Sequence, residues 1–426
     1  MPHRNRLALA VLTACLIAAA PASASAADYV PGEVIVHHEG GDAEVVPVDS
    51  GETVKETVAD LEADPSVDYA VPNYRAHASV IWNDPGRSGQ PSGWTNLQWN
   101  FIGEASVNAP DAWDLAAALG APGGRGAVVA VVDTGAAYKN TKRFRRAPDM
   151  RRSTFVPGHD FVDHDKRPFD LFGHGTHVAG TIAEHVDNDM AVTGLAYNAK
   201  IMPVRVLDEN GEGGAYAISR GIRWAARHKA DVINLSLEFD PSITAHQVPG
   251  IIRAIRFAHR KGSVVVAAAG NESDANVAYP ARARYAISVG ATTEDQCQAD
   301  YSNSGSGLDV VAPGGGNDAA NDDNPLDAQH CRPELTGRDI FQQTFVRNPR
   351  SFGLPGGYQG TSMAAPHVSA IAALLIGTKL LGEHPRPGRI AAHLRKTARD
   401  LGPAGYDDRY GHGLVDAAAA LSTSSG

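Results

Sequence analysis

Cysteine is scarce in this chain, with three in 426 residues, and no two of them form a CxxC pair. A disulfide-stapled miniprotein and a thiol-rich metal fold are therefore excluded. Aromatic residues are few as well, at 7%. Basic charge is in deficit, since 38 Lys and Arg stand against 48 Asp and Glu. The excess of positive charge on which nucleic-acid binding rests is thus missing. After the N-terminus no apolar run is long enough to cross a bilayer, which argues against a polytopic membrane protein. What is there is 43% apolar and 20% charged, a globular composition with room for about two or three domains.

The acidity is local. Residues 28–78 hold twelve Asp and Glu against Lys55 and Arg75, whereas residues 79–426 carry a net charge of −2. Ahead of this segment stand Arg4 and Arg6, an apolar stretch over 7–20, then Pro21 and Ala-Ser-Ala-Ser-Ala. These are the three regions of a secretory signal peptide, with cleavage expected after Ala26 and export as the consequence. The stretch is too short for a comfortable membrane anchor. A lipoprotein-type cleavage box at Leu12-Thr13-Ala14-Cys15 is disfavoured because the apolar run continues past Cys15. Removal of the signal leaves Cys297 and Cys331, and two thiols in an oxidising compartment read as one disulfide.

Residues 27–78 read as a small strand–helix–strand unit. A β-run covers 34–36, Val54, Val58 and Leu61 fall at helical spacing, and 67–71 alternates before Pro72. Such a unit is small for an independent core. Residues 79–95 are rich in Gly, Pro, Ser and Asn and read as linker. Beyond them, apolar β-runs at 127–132, 201–206, 232–237, 264–268, 286–289 and 308–311 are interleaved with helical patterns at 215–228, 249–261 and 362–378. Near-continuous apolar strands alternating with helices predict an α/β fold around a buried parallel sheet. Residues 314–357 form a long polar insert.

Four segments carry chemistry. The strand Val128-Val129-Ala130-Val131-Val132 ends in Asp133, where the carboxyl ends of parallel strands gather ligands. His174 lies between glycines in Gly173-His174-Gly175-Thr176-His177 and suits a general base near neutral pH. His174 and His177 lack a third ligand nearby, so a metal pair is not expected. Ser362 follows Gly360-Thr361 and opens a helix of small residues, whose free N–H groups suit a developing oxyanion. Pro366 is placed in the first turn of that helix, where its missing N–H costs little, and His367 is read as packing. Asn271 follows the strand and small residues Ala268-Ala269-Gly270, where a side-chain amide can donate to an oxyanion. Each alone has an ordinary structural explanation as a cap or a turn residue.

Together, Asp133, His174 and Ser362, in that order and with their flanking residues, resemble the subtilisin-like serine proteases. The resemblance runs from about Leu97-Gln98-Trp99 to Gly413-Leu414-Val415, and residues 28–78 resemble the family's inhibitory propeptide. It implies a doubly wound, mostly parallel sheet preceded by a small α+β propeptide domain. The activity implied is that of a secreted, self-processing serine endopeptidase, expected as a monomer, with no membrane or nucleic-acid partner. In that reading Asp133 orients His174, His174 takes the proton of Ser362, and Asn271 holds the oxyanion. Ser236 and Leu237 pair with extended substrate, Gly213 faces them, and Ala268, Ala269 and Gly270 line the pocket for the residue before the scissile bond. No cofactor is required for chemistry. Structural calcium is expected at Gln98, Asp149, Val186, Asn188, Met190 and Val192, oxygen-bearing positions that suit a hard cation. Asp160, Asp163, Asp165 and Asp170 form a further acidic cluster, either a solvated loop or a second ion site.

The chain departs from the family where two glycines should follow Ser236-Leu237: Glu238 and Phe239 stand there. An outward-pointing Glu on the cleft rim is expected, with a preference for basic side chains or a narrowed pocket entry as the alternatives. Two rival functions are an α/β-hydrolase-type esterase using Ser362, Asp400 and His412, and a catalytically silent binding protein of the same fold. The esterase has only 64 residues after Ser362 for its remaining elements.

Overall fold

The computed structural model describes residues 29–38, 43–74, 93–190, 192–320 and 329–422. The expected signal peptide, residues 75–78 of the expected small unit and residues 79–92 of the expected linker lie outside the described residues. The described residues form two compact units, one within 29–74 and one within 93–422.

The first unit contains β1 (Tyr29–His38), β2 (Glu44–Pro47), α1 (Val54–Glu62) and β3 (Val67–Tyr74). The strands form an antiparallel sheet in the order β2-β1-β3. Sequence patterning finds β1, α1 and β3 but misses β2, an edge strand of four residues with no clear alternation. Thr53 opens α1 with a capping box, its hydroxyl accepting from the Glu56 N–H while Glu56 accepts from the Thr53 N–H. The core is small, centred on Val34, Val54 and Ala70.

In the second unit, short α2 (Trp94–Leu97) and α3 (Ala109–Ala118) precede β4 (Val128–Asp133), β5 (His159–Asp160) and α4 (His174–Ala183). Then come β6 (Lys200–Arg205), α5 (Ala215–Arg227), β7 (Val232–Leu235), α6 (Pro249–Lys261), β8 (Val264–Ala268), β9 (Ala286–Thr292) and β10 (Val310–Pro313). A small β11–β12 hairpin (Thr344–Phe345, Phe352–Gly353), α7 (Thr361–Thr378), α8 (Pro387–Thr397) and α9 (Ala417–Leu421) follow. Seven strands form one parallel sheet in the order β10-β9-β8-β7-β4-β6-β5.

Period-2 geometry explains why the central strands are apolar throughout. In β4, Val129 and Val131 pack into the layer that contains α3, α4 and α7, while Ala130 and Val132 pack into the layer of α5 and α6. Helices cover both faces, so a strand with one polar face would bury unpaired groups. Helix α7 is long and apolar because it is a core helix, with Thr361 through Leu375 buried. β4 has β6 on one side and β7 on the other, so the direction of winding reverses between β4 and β7. Ligands bind at such a switch point, outside the carboxyl ends of the strands.

Cys297 and Cys331 are disulfide-bonded as expected, at a Cα–Cα distance of 5.8 Å and a separation of 34 residues. His330 lies beside both sulfurs, but a disulfide leaves no thiolate for zinc. Closing a loop of this length should add about 3–4 kcal/mol. A Cys297→Ser, Cys331→Ser double variant should lose about that much in denaturant unfolding. Wild-type stability in the variant would show that the loop contributes no such constraint.

Candidate active site

Four chain segments converge on the switch point. Asp133 ends β4, His174 begins α4, Ser236 lies just past β7, and Ser362 lies in the first turn of α7. His174, Ser236, Leu237, Glu238, Gly213 and Ser362 line one cleft of about 410 Å³. Strand β7 ends at Leu235 instead of running to residue 237, because Ser236 and Leu237 leave the sheet to form this wall.

Asp133 is fully buried, and its Oδ1 lies 2.8 Å from His174 Nδ1 while also accepting the Thr134 N–H at 2.7 Å. The carboxylate therefore places the ring's proton on Nδ1 and leaves Nε2 as the open lone pair. Burial works against the charged imidazole. The charge and hydrogen bond of Asp133, aided by Asp170 and Glu238, outweigh it and hold the His174 pKa above its ordinary value.

The position of His174 is set from behind by a residue that sequence reasoning assigned to an acidic cluster. Asp170 is buried and accepts the N–H groups of Phe172, Gly173 and Thr176, together with the hydroxyls of Thr134 and Thr176. It caps the first turn of α4 from outside the helix. An Asp shortly before a Gly-His-Gly helix start was the available signal. The rest of that cluster pairs with protein cations. Asp160 and Asp163 both accept from the buried Arg205 guanidinium, at 3.0 and 2.8 Å, and Asp165 pairs with Arg167.

Pro366 is a correction. It stands in the second turn of α7, not the first, and deprives the Ser362 carbonyl of its helical donor. The Ser236 hydroxyl fills that role at 2.7 Å, tying the cleft wall to the start of α7. In return Ser362 Oγ donates to the Ser236 carbonyl at 3.2 Å, so its proton points to the wall and not to His174 Nε2. Rotation about the Cα–Cβ bond of Ser362 redirects it, as is common where catalytic hydrogen bonds tighten only with substrate.

Gly270 turns the chain out of β8 at φ +115, and a Cβ there would lie 2.1 Å from Asn303. The turn brings Asn271 over the start of α7. Asn271 Oδ1 accepts the Thr361 N–H at 2.8 Å and the Thr361 hydroxyl at 3.0 Å. Its NH₂ group must then face the other way, and Nδ2 donates to Glu238 Oε1 at 2.8 Å. Glu238 thus points into the site. The expectation of an outward-pointing rim residue is wrong, because Asn271, just past the neighbouring strand, supplies a part-buried donor for the carboxylate. Gly213 approaches so closely that a Cβ would lie 2.3 Å from the Val206 carbonyl, and Ala268 and Ala269 are fully buried.

His177 and His367 are both occupied elsewhere. His177 donates to the Ile340 carbonyl and stacks on Tyr358, and burial pushes its pKa down to about 3. His367 Nε2 accepts from Asn100 and its Nδ1 donates to the Met363 carbonyl. Asp400 and His412 are exposed; Asp400 accepts from the Gly405 N–H, and His412 packs edge-on to Tyr406.

At the expected calcium loop, Gln98 and Asp149 are buried. Gln98 exchanges both hydrogen bonds with the Thr193 backbone, and Asn188 turns its NH₂ to Asp149 Oδ1 at 2.6 Å. A buried carboxylate in an oxygen-rich loop fits a hard cation. Asn188 fits only with its amide reversed. Val186, Met190 and Val192 carry no side-chain oxygen, so only their backbone carbonyls suit such an ion.

The subtilase family model matches residues 124–413. The chain belongs to the subtilase family. A thermophilic serine proteinase of Bacillus sp. (strain AK1) is 36% identical over 322 residues, covering 76% of this chain and 66% of that protein. An alkaline protease of Alkalihalobacillus alcalophilus is 33% identical over 378 residues, covering 88% of this chain and 80% of that one. Among solved structures, a protease from Pseudoalteromonas arctica PAMC 21717 is 34% identical with a TM-score of 0.62, covering 78% of this chain and 99% of that one. This subtilase is a subtilisin-like serine endopeptidase, built on the parallel α/β fold that its strand pattern predicts.

Proposed function

We propose that the enzyme hydrolyses peptide bonds through Asp133, His174 and Ser362 by way of an acyl-enzyme. The observation that carries this is the 2.8 Å contact between buried Asp133 and His174 on the same cleft as Ser362. An extended peptide lies along Ser236 and Leu237, with Gly213 opposite. His174 Nε2 removes the Ser362 proton as Oγ attacks the scissile carbonyl, and Asp133 stabilises the imidazolium. The Ser362 N–H, in the first turn of α7 where helix N–H groups lack internal acceptors, and Asn271 Nδ2 receive the oxyanion. His174 then protonates the leaving amine, and water, deprotonated by the same ring, frees the acid.

The chemistry needs no cofactor. Asp149, with Gln98, Asn188 in the reversed amide orientation and the carbonyls of Val186, Met190 and Val192, would hold a calcium ion, which would stiffen the loop after α4. We further assign residues 27–78 as a propeptide that aids folding and then inhibits, and residues 1–26 as the export signal of a secreted zymogen. Supporting this are the resemblance of 67–73 to such propeptides, the local acidity, and the n-, h- and c-regions of the N-terminus.

A fluorophosphonate probe tests the nucleophile directly. Peptide mapping should place the adduct on Ser362 in active protein. An adduct on a different serine would overturn the assignment.

A further inference from the structure

The contact between Glu238 and Asn271 has no part in the mechanism above and opposes it. Asn271 Nδ2 is the proposed oxyanion donor, yet it donates to Glu238 Oε1 at 2.8 Å. Thr361 holds the amide in that sense from the other side. One amide hydrogen is therefore committed, and a carboxylate stands beside the point where negative charge must develop. The bond also has a particular position. Glu238 follows β7 and Asn271 follows β8, and these strands are neighbours. The Glu238 side chain thus bridges the segment of Ser236 and Leu237, which lines the cleft, and the end of the buried segment Ala268-Ala269-Gly270, which does not. It is between these two segments that the family resemblance puts the pocket for the side chain before the scissile bond.

The charged or titratable groups acting on Glu238 are Glu272 and His174, and Glu212 lines the same cleft. Burial raises the Glu238 pKa, its hydrogen bond with Asn271 opposes this, and the nearby Glu272 adds to the rise. Glu272 itself accepts from the Asn271 N–H and from Asn303. Among the described residues, neither Lys nor Arg lines the cleft. A neutral substrate side chain must therefore bury the Glu238 carboxylate further without compensation, which is costly. A cationic side chain supplies the counter-charge that the neutral Asn271 amide does not.

We propose that Glu238 selects peptides with Lys or Arg immediately before the scissile bond, and that pairing with this cation draws its carboxylate off Asn271 and frees the oxyanion donor. The selection is both attractive and repulsive, since the group that recognises the correct side chain restrains the site when an incorrect one is bound. The inference rests on the proposed function, because it uses Ser362 as nucleophile and Asn271 as donor.

The test uses mature enzyme and fluorogenic peptides that differ only in Lys, Arg, Leu or Phe before the scissile bond. Rates are normalised to active sites titrated with the fluorophosphonate probe, so that misfolded protein does not count. Wild type should show kcat/KM at least about tenfold higher for Lys and Arg than for Leu. Glu238→Gln keeps an acceptor for Asn271 but removes the charge, and should lose that preference through slower cleavage of the cationic peptides. Glu238→Gly removes the bridge and should raise kcat on the Leu and Phe peptides. A wild-type enzyme that labels at Ser362 and prefers Leu or Phe would overturn the inference and leave the proposed function standing. So would a Glu238→Gln enzyme with the full preference for Lys and Arg. Cleavage without labelling at Ser362 would overturn both.

Discussion

Ser362→Ala is expected to abolish proteolysis, with kcat falling by about a millionfold, the loss produced by removing the nucleophile of subtilisin itself. The substitution removes one oxygen from a residue in the first turn of α7, next to the Ser236 wall. Folding of the catalytic unit should therefore survive, and circular dichroism should match wild type. The same variant tests maturation. Purified without other proteases, it should remain one chain from Ala27 onward. The parent should divide between Tyr74 and Asn83, a stretch in which residues 75–83 lie outside the described residues. The released segment should stay bound as an inhibitor until it is degraded. If Ser362→Ala were processed at the same bond in a protease-free preparation, self-cleavage would be wrong and Ser362 would lose its main support as the nucleophile.

Asp133→Asn should lower kcat by about ten-thousandfold while leaving the fold and KM nearly unchanged. The Asn amide can donate to His174 Nδ1, which moves the ring's proton to Nε2 and removes the lone pair that Ser362 requires. The pH profile separates this from simple loss of packing. General-base catalysis needs neutral His174, so kcat/KM rises as pH passes upward through the His174 pKa. Burial lowers that pKa, but Asp133 with Asp170 and Glu238 outweighs it and carries it above the ordinary histidine value. The acid limb of wild type should therefore lie above about pH 6.5. In Asp133→Asn the raising charge is gone, burial prevails, and the limb should move to lower pH. An unshifted limb in a weakly active variant would mean that some other group titrates.

Much of the architecture is legible because it depends on local pattern. Buried parallel strands must be apolar on both faces, so the segments that became β4, β6, β7, β8, β9 and β10 stand out as runs. Helices α5 and α6 show one apolar face each, at Ile218, Ile222 and Ala225 and at Ile251, Ile255 and Ala258. Edge elements escape, as β2 and β5 do, because segments of four and two residues are too short to show a period. Helix α8 escapes too. Only four of its eleven residues are buried, Pro387, Ile390, Ala391 and Leu394, and Pro and Gly at its start read as a turn.

Sequence by itself determined the strand–helix alternation, the family and the pairing of Cys297 with Cys331. Of the residues it singled out, His174, Gly213, Ser236, Leu237, Glu238 and Ser362 do meet in one cleft, whereas Ala268, Ala269 and Gly270 do not line it. Tertiary structure alone decided how those residues are held. The Ser236 hydroxyl meets the Ser362 carbonyl from 126 positions away. Asp170 turned from a member of an acidic cluster into the support of α4, and Glu238 turned inward to Asn271 across 33 positions. The reason is physical. A motif reports backbone conformation over a few residues, which local sterics and hydrogen bonding set. The direction of a polar side chain is set by whichever donor or acceptor folding brings within about 3 Å. No spacing in the chain records that partner.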